Sequence, residues 1–422
     1  MDPRSPLRID AKRLLRRLDQ LAGIGRKEDG SCCRLALTDE DRLGRDQVVA
    51  WMRELDLEVR VDQVGNIFGL RKGSRDLAPV MTGSHIDTVA TGGRLDGNYG
   101  VLAGLEVVQT LNEARIATSH PLAVAVFMNE EGVRYQPDMM GSLVYAGGLG
   151  VEEAHAATGI DGSNLGAELK RIGYAGGMKP GAIVPKAFVE LHIEQGPILD
   201  AENESLAAVS HLQGISWQEV VFQGVSNHAG TTPMRLRRDA GYAAGRLICF
   251  VHDLAREIGG TQVGTTGSVR FTPNLINVIP REATVTVDLR NTEEARLQEA
   301  ERRLQAFLAD LARSENLAVR TRRLCRFEPV TFDEGVVRSI EASASALGVP
   351  VRRMTSGAGQ DAQMLARICP AAMIFVPSID GISHNPAEHT RPEHLELGAN
   401  VLLHTLLDLA NQEPPRPAGP TP

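Results

Sequence analysis

Apolar and polar positions follow two different grammars along the chain. In the first, helical patterns alternate with short apolar runs such as Val80-Met81-Thr82 and Leu122–Met128, the spacing of βαβ units. The run LAVAVFM at Leu122–Met128 is apolar on both parities, which predicts a strand covered on both faces in a largely parallel sheet. From about Ser210 to Phe327 the pattern changes. It reads strand (Ser216–Gln223), helix (Leu236–Ile258), strand (Thr265–Phe271), strand (Ala283–Leu289), helix (Thr292–Ser314) and strand (Leu317–Arg323), the split β-α-β-β-α-β order. The first grammar then returns, with helices predicted over Val336–Leu347, Gln360–Ile368 and His394–Leu409 and strands over Val349–Met354 and Ala371–Val376. The expected fold is α/β: a three-layer main domain with a mostly parallel mixed sheet, residues 1–210 and 328–412, interrupted by a ferredoxin-like α+β domain at 211–327. The proline-rich stretch 413–422 reads as a disordered tail.

Length supports this division, because 422 residues exceed the size at which one hydrophobic core stops growing. A net charge of −8 without a basic block removes the electrostatic footprint of a nucleic-acid binder. The five cysteines (Cys32, Cys33, Cys249, Cys325, Cys369) are odd in number and scattered, which fits a reducing compartment rather than a disulfide framework or a thiolate zinc site. The arginine-rich N-terminus carries acids and lacks the apolar stretch of a signal peptide, and no run reaches the length of a membrane span. A cytoplasmic protein without a membrane partner is therefore expected.

The densest chemistry opens with TGSHIDTV, where His85 follows a predicted strand and Asp87 lies two residues on, placed to orient the imidazole. GGRLDGNYG sets Asp96 in a glycine-dense loop before a helix, where one carboxylate can bridge two cations. NEEG follows the strand Leu122–Met128, at the carboxyl end where open α/β sheets build their sites. Adjacent residues at a strand end point in different directions, so Glu131 can bind metal while Glu130 faces a substrate water as general base. HIEQGP adds His192 and GISHNPAEH adds His384. Each is an ordinary structural residue when taken alone, but three histidines and two carboxylates in this order, each at or near a strand end, form a ligand set. They suit Zn²⁺, Mn²⁺, Co²⁺ or Ni²⁺, and two such ions roughly 3.5–4 Å apart form a hydrolytic pair.

Together, TGSHIDTV, GGRLDG, NEEG, HIEQGP, NHAGTTPM, NLINVIP, SGAGQDA and GISHNPAEHT resemble the hydantoinase/carbamoylase family of amidases, from about Leu18 to Leu409. That family includes N-carbamoyl-L-amino-acid hydrolases, β-ureidopropionases and allantoate amidohydrolases, within the aminoacylase-like di-zinc peptidases. The resemblance implies a catalytic main domain and a lid and dimerisation domain, hence a homodimer. It makes Asp96 the bridging carboxylate, puts His85 and His192 on one ion and Glu131 and His384 on the other, and makes Glu130 the base. It further implies that Arg290, Asn277 and His228 grip the substrate carboxylate, with His228 also a donor to the oxyanion. Gln195 is expected near the carbamoyl or carboxylate end, with Gly359 and Gln360 also lining the substrate. Relatives read SGAGHDA where this chain has SGAGQDA, so an amide that cannot become cationic replaces an imidazole at Gln360. The implied reaction is cleavage of N-carbamoyl-L-amino acids, with allantoate or N-carbamoyl-β-alanine as alternative ureido substrates and N-acyl amino acids after them.

Two rival classes have sequence support. GAGQDA also fits the short dinucleotide pattern, follows a predicted strand and has Asp380 about twenty residues on, but the preceding VPVRRM is too polar for a central strand. A binding protein with a vestigial pocket would be expected to have lost ligands, and here every position is filled. No G-x-S-x-G occurs, so a serine hydrolase has no nucleophile elbow.

Overall fold

The computed structural model describes residues 6–412, so the tail expected at 413–422 lies outside the described residues. Among the described residues fourteen strands run in chain order: β1 Glu58–Val61, β2 Ile67–Arg71, β3 Val80–His85, β4 Leu122–Phe127, β5 Ala187–Ile193, β6 Ala207–Leu212, β7 Gly214–Gln223, β8 Val263–Thr265, β9 Val269–Thr272, β10 Glu282–Asn291, β11 Ala318–Phe327, β12 Val330–Thr331, β13 Arg352–Ser356 and β14 Ala371–Val376. The chain forms two compact units that divide after Ser210 and again before Phe332. The second boundary falls later than 328 because β12 pairs antiparallel with His211 and Leu212, the residues through which the chain enters the second unit.

In the first unit the sheet order is β1-β2-β4-β3-β5-β14-β6, with β13 on β6. The centre, β4-β3-β5-β14, is parallel. The flanks are antiparallel because β1 and β2 form a hairpin and β6 runs back along β14. Every residue of β3, β4, β5 and β14 is buried, as apolarity on both parities demands. The helix Asn98–Glu113 packs on β3 and against the helices Ala11–Ala22 and Pro392–Asn411. The carboxyl ends of β3, β4 and β5 therefore lie side by side, each fixed by a buried strand.

The second unit is a five-stranded antiparallel sheet, with β7 between β11 and β10 and both β8 and β9 on β10. Burial alternates along β10, and its inward Val285, Val287 and Leu289 pack with Leu247 and Val251 of the helix Ala240–Ile258 and Leu304 and Leu308 of the helix Glu294–Ser314. Two predicted spans change. The strand expected over Thr265–Phe271 is two, β8 and β9, parted where Ser268 N–H donates to Thr286 Oγ1. The helix expected from Leu236 starts at Ala240, because Asp239 Oδ1 caps it by accepting from the backbone of Gly241 and Tyr242.

Beyond β13, the helix expected over Gln360–Ile368 spans only Asp361–Leu365. An edge strand and five helical residues do not make a dinucleotide crevice, and Asp380 lies in a short turn after Pro377. The nicotinamide reading ends there.

Candidate metal centre

Three strand ends and two loops of the first unit converge on Asp96. His85 closes β3, His192 lies one residue before the end of β5, and Glu130 and Glu131 follow β4. Their side chains meet in two groups that share Asp96: His85, Asp96 and His192, all buried, and Asp96, Glu131 and His384. Asp96 Oδ1 is 3.6 Å from His85 Nε2 and 3.2 Å from His192 Nε2, while its Oδ2 is 3.2 Å from His384 Nε2. Glu131 Oε2 is 3.4 Å from His384 Nε2, and Glu130 Oε2 is 3.3 Å from His85 Nε2. His384 is half exposed, so the second group opens to solvent.

The backbone is unusual at these points for identifiable reasons. Gly97, with φ 66°, starts the helix after Asp96; a Cβ there would fall 2.4 Å from His85 Cε1, so only glycine lets the ring approach. Asn129, Gln195 and His384 hold left-handed φ values of 54°, 56° and 54°. Strain of this kind persists only where neighbours over-determine it and gathers at functional sites. Asn129, for example, is tied by its Nδ2 to the carbonyls of Tyr135 and Pro137, which aims the two glutamates.

The donor set fits divalent cations. His85 Nδ1 bonds the carbonyl of Asp87 at 2.9 Å and His192 Nδ1 that of Ile193 at 2.8 Å, which leaves each Nε2 lone pair turned into the site. Gly97 N–H donates to His192 Nε2 at 3.1 Å, consistent with that tautomer. Lone pairs and carboxylate oxygens thus face one another, an arrangement that needs a cation between them. The buried charges also perturb one another. Burial pushes the Glu130 carboxyl well above its usual range and lifts Glu131 to about 8. Against the cost of burial, the three imidazoles hold Asp96 well below its usual value, and Asp96 in turn lifts His384 to about 9.

One expected role changes. The Asp87 carboxylate does not bond His85, from whose Nδ1 it stands 3.9 Å; the Asp87 carbonyl does that work. The carboxylate instead accepts the backbone N–H groups of Glu130, at 3.2 Å, and Glu131, at 3.3 Å. It therefore fixes Glu130 and its neighbour rather than the imidazole. Sequence reasoning also missed Glu388, whose buried Oε1 accepts from the backbone of Leu95 and Asp96 and whose Oε2 accepts from Ser383. Its only signal was an acid four residues after His384.

Gln195 does reach the site, donating from Nε2 to Asp96 Oδ2 at 2.9 Å. Gln360 is buried and donates to Gln195 Oε1 at 2.7 Å. Gly359 packs where a Cβ would come 2.9 Å from Met139 Cε. The remaining expected substrate residues belong to the second unit. His228 and Asn277 are exposed on two loops joined by a backbone bond from Ala229 N–H to Asn277 O. Arg290, on β10, grips Asp288 through Nε and Nη2 at 3.1 and 2.9 Å and lies over Trp217.

Residues 81–408 match the peptidase family M20/M25/M40. The chain is 40% identical over 404 residues to an N-carbamoyl-L-amino-acid amidohydrolase of Rhizobium meliloti, covering 96% of this chain and 97% of that one. It is 34% identical to the allantoate amidohydrolase of Bacillus subtilis (strain 168), over 93% of this chain and 96% of that one. Among solved structures, a hydantoinase/carbamoylase family amidase from Burkholderia multivorans superposes with a TM-score of 0.91 at 43% identity, covering 96% of this chain and 99% of that chain.

Proposed function

The chain belongs to the M20/M25/M40 peptidase family, among its hydantoinase/carbamoylase amidases, and on that footing we propose that it hydrolyses the carbamoyl C–N bond of N-carbamoyl-L-amino acids. The observation that carries the reading is one carboxylate, Asp96, shared by two His/carboxylate groups, with Glu130 beside them. We assign two divalent ions per subunit to these groups, Zn²⁺ or else Mn²⁺, Co²⁺ or Ni²⁺. Ions in such a donor set supply charge that acidifies water and polarises the scissile carbonyl.

The chain's own residues do the rest. Asp87 holds the backbone that carries Glu130. Glu130 takes a proton from the attacking water and returns it to the departing nitrogen. Burial suits the second step, since a carboxyl with a raised affinity for protons holds one until the leaving group needs it. The products are the amino acid and carbamate, which decays to carbon dioxide and ammonia. By motif we assign the substrate carboxylate to Arg290 with Asn277 and His228, the last also a donor to the oxyanion. A guanidinium holds a carboxylate by a bidentate fork, the grip Arg290 already makes on Asp288.

Allantoate is the second reading, favoured by the allantoate amidohydrolase relative. We also propose a homodimer formed through the second unit, and a cytoplasmic location in keeping with five free cysteines. No described helix is long and apolar enough to cross a membrane.

The test is ammonia release by purified protein supplemented with Mn²⁺ or Zn²⁺, with and without chelator. The substrates are N-carbamoyl-L-methionine, N-carbamoyl-β-alanine and allantoate, with N-acetyl-L-methionine followed by free methionine. Chelator-sensitive turnover that is fastest on N-carbamoyl-L-methionine is expected. Fastest turnover on allantoate would move the assignment to the second reading, and silence on all four would end it.

A further inference from the structure

Asp96 determines the polarity of two amides. An ionised carboxylate only accepts hydrogen bonds, so Gln195 must present Nε2 to Asp96 Oδ2 and turn its Oε1 the other way. Gln360 meets that oxygen, so it must present its own Nε2. The order Gln360, Gln195, Asp96 is thus a one-way relay of donors ending on the carboxylate that both metal groups share.

The relay is held at each end. Gln360 is 1% exposed and sits between β13 and the helix Asp361–Leu365, so its side chain cannot turn out to solvent. Gln195 has a left-handed backbone, and its N–H donates to Ser378 Oγ at 3.0 Å. Without Gln360, the Gln195 Oε1 would lose its donor and the contact with Asp96 alone would hold the amide. A turned amide would place an oxygen against Asp96 Oδ2, a repulsive contact in a buried site.

Resting on the two-metal reading, we propose that Gln360 is a positioning residue that fixes Asp96 through Gln195 and thereby strengthens metal binding. Groups that orient metal ligands typically change affinity 10–100-fold when removed. An amide supplies its N–H at every working pH, so the relay does not switch off in mildly acidic or basic solution.

The experiment reads metal affinity directly, by competition with a chromogenic chelator for Zn²⁺, with no substrate present. Gln360→Met keeps length and packing but removes the donor. Its dissociation constant for the weaker ion is expected to rise about 10–100-fold. Gln195→Met cuts the same relay and should show a similar loss, with the double variant no worse than Gln195→Met alone. Gln360→His, which can still donate one N–H, should recover most of the affinity. If Gln360→Met does not fold, Gln195→Met and Gln360→His still decide the matter.

Unchanged metal affinity in Gln360→Met overturns the proposal, and so does a raised KM at unchanged metal affinity, which would make Gln360 a substrate contact. Strictly additive losses in the double variant overturn it as well. A wild type that binds two ions yet hydrolyses no ureido acid would defeat the functional reading and leave this one standing. A wild type that binds no ion would defeat both.

Discussion

Glu130 and Glu131 are neighbours in sequence with different partners, because the left-handed Asn129 turns the chain at the end of β4 and Asp87 pins both following N–H groups. Glu130 stands by His85, and Glu131 by His384. Glu130→Gln should therefore retain metal and lose turnover by a factor on the order of 10²–10⁴, the scale of general-base catalysis. Metal content and kcat measured on one preparation check this, and near-normal kcat would remove Glu130 from the chemistry. Gly97→Ala tests the approach of His85 from the other side. Its methyl group meets the imidazole well inside contact distance, at a φ that side chains rarely adopt. The ring must shift, at a cost of about 1–3 kcal/mol. Metal content should fall together with the thermal midpoint, and a variant with full metal would show that the ring has room the geometry denies it.

At the scale of elements, three of the five candidate ligands were legible because they sit at or near the end of an apolar run, and such runs in α/β chains become buried strands whose carboxyl ends gather. His85, Glu131 and His192 follow directly from that rule. The Asp87 carboxylate did not, since its real partners are backbone groups of a different strand end, and spacing in sequence carries no trace of a contact made across the sheet. Glu388 escaped for the same reason. The split of β8 from β9 and the late start of the helix Ala240–Ile258 were hidden because each depends on one side chain, Thr286 and Asp239.

The β1–β2 turn shows such a local bond with a measurable consequence. Buried Asp62 accepts from Val64 N–H and from the backbone and side chain of Asn66, and Asn66 in turn bonds Gly141 O and Met128 N–H, just before the two glutamates. Burial lifts Asp62 to about 6. An unfolded chain releases that proton near pH 3.9, so between about pH 4 and 6 the folded state binds more protons and loses stability as pH rises. Asp62→Asn does not titrate. Its stability relative to wild type should improve as pH goes from 4.5 to 7, by about 2 kcal/mol. Denaturant melts at the two pH values measure this, and a constant gap would mean that Asp62 ionises normally.

At the scale of the whole molecule, the second unit carries an apolar surface that a solitary chain has little reason to keep. Ile276 is fully exposed, Leu275 and Leu236 are more than half exposed, and Met234 is 75% exposed. Ile276 adjoins Asn277, whose loop bonds that of His228. Apolar clusters of this kind mark protein interfaces, and here the exposed residues share their loops with two of the residues assigned to substrate. If the proposed dimer forms on this surface, association and substrate binding are physically linked, because ordering one loop orders the other. Ile276→Asp would place a carboxylate beside Leu275 in this exposed loop, where burial without a partner is costly. Sedimentation should then show a dimer for the wild type at micromolar concentration and a monomer for the variant. Metal content, which belongs to the first unit, should be unchanged, while kcat/KM for N-carbamoyl-L-amino acids falls at least tenfold. A wild type that sediments as a monomer removes the dimer. A monomeric variant with wild-type kcat/KM keeps the dimer but separates it from the substrate site, and would show that the loops at His228 and Asn277 hold their conformation unaided.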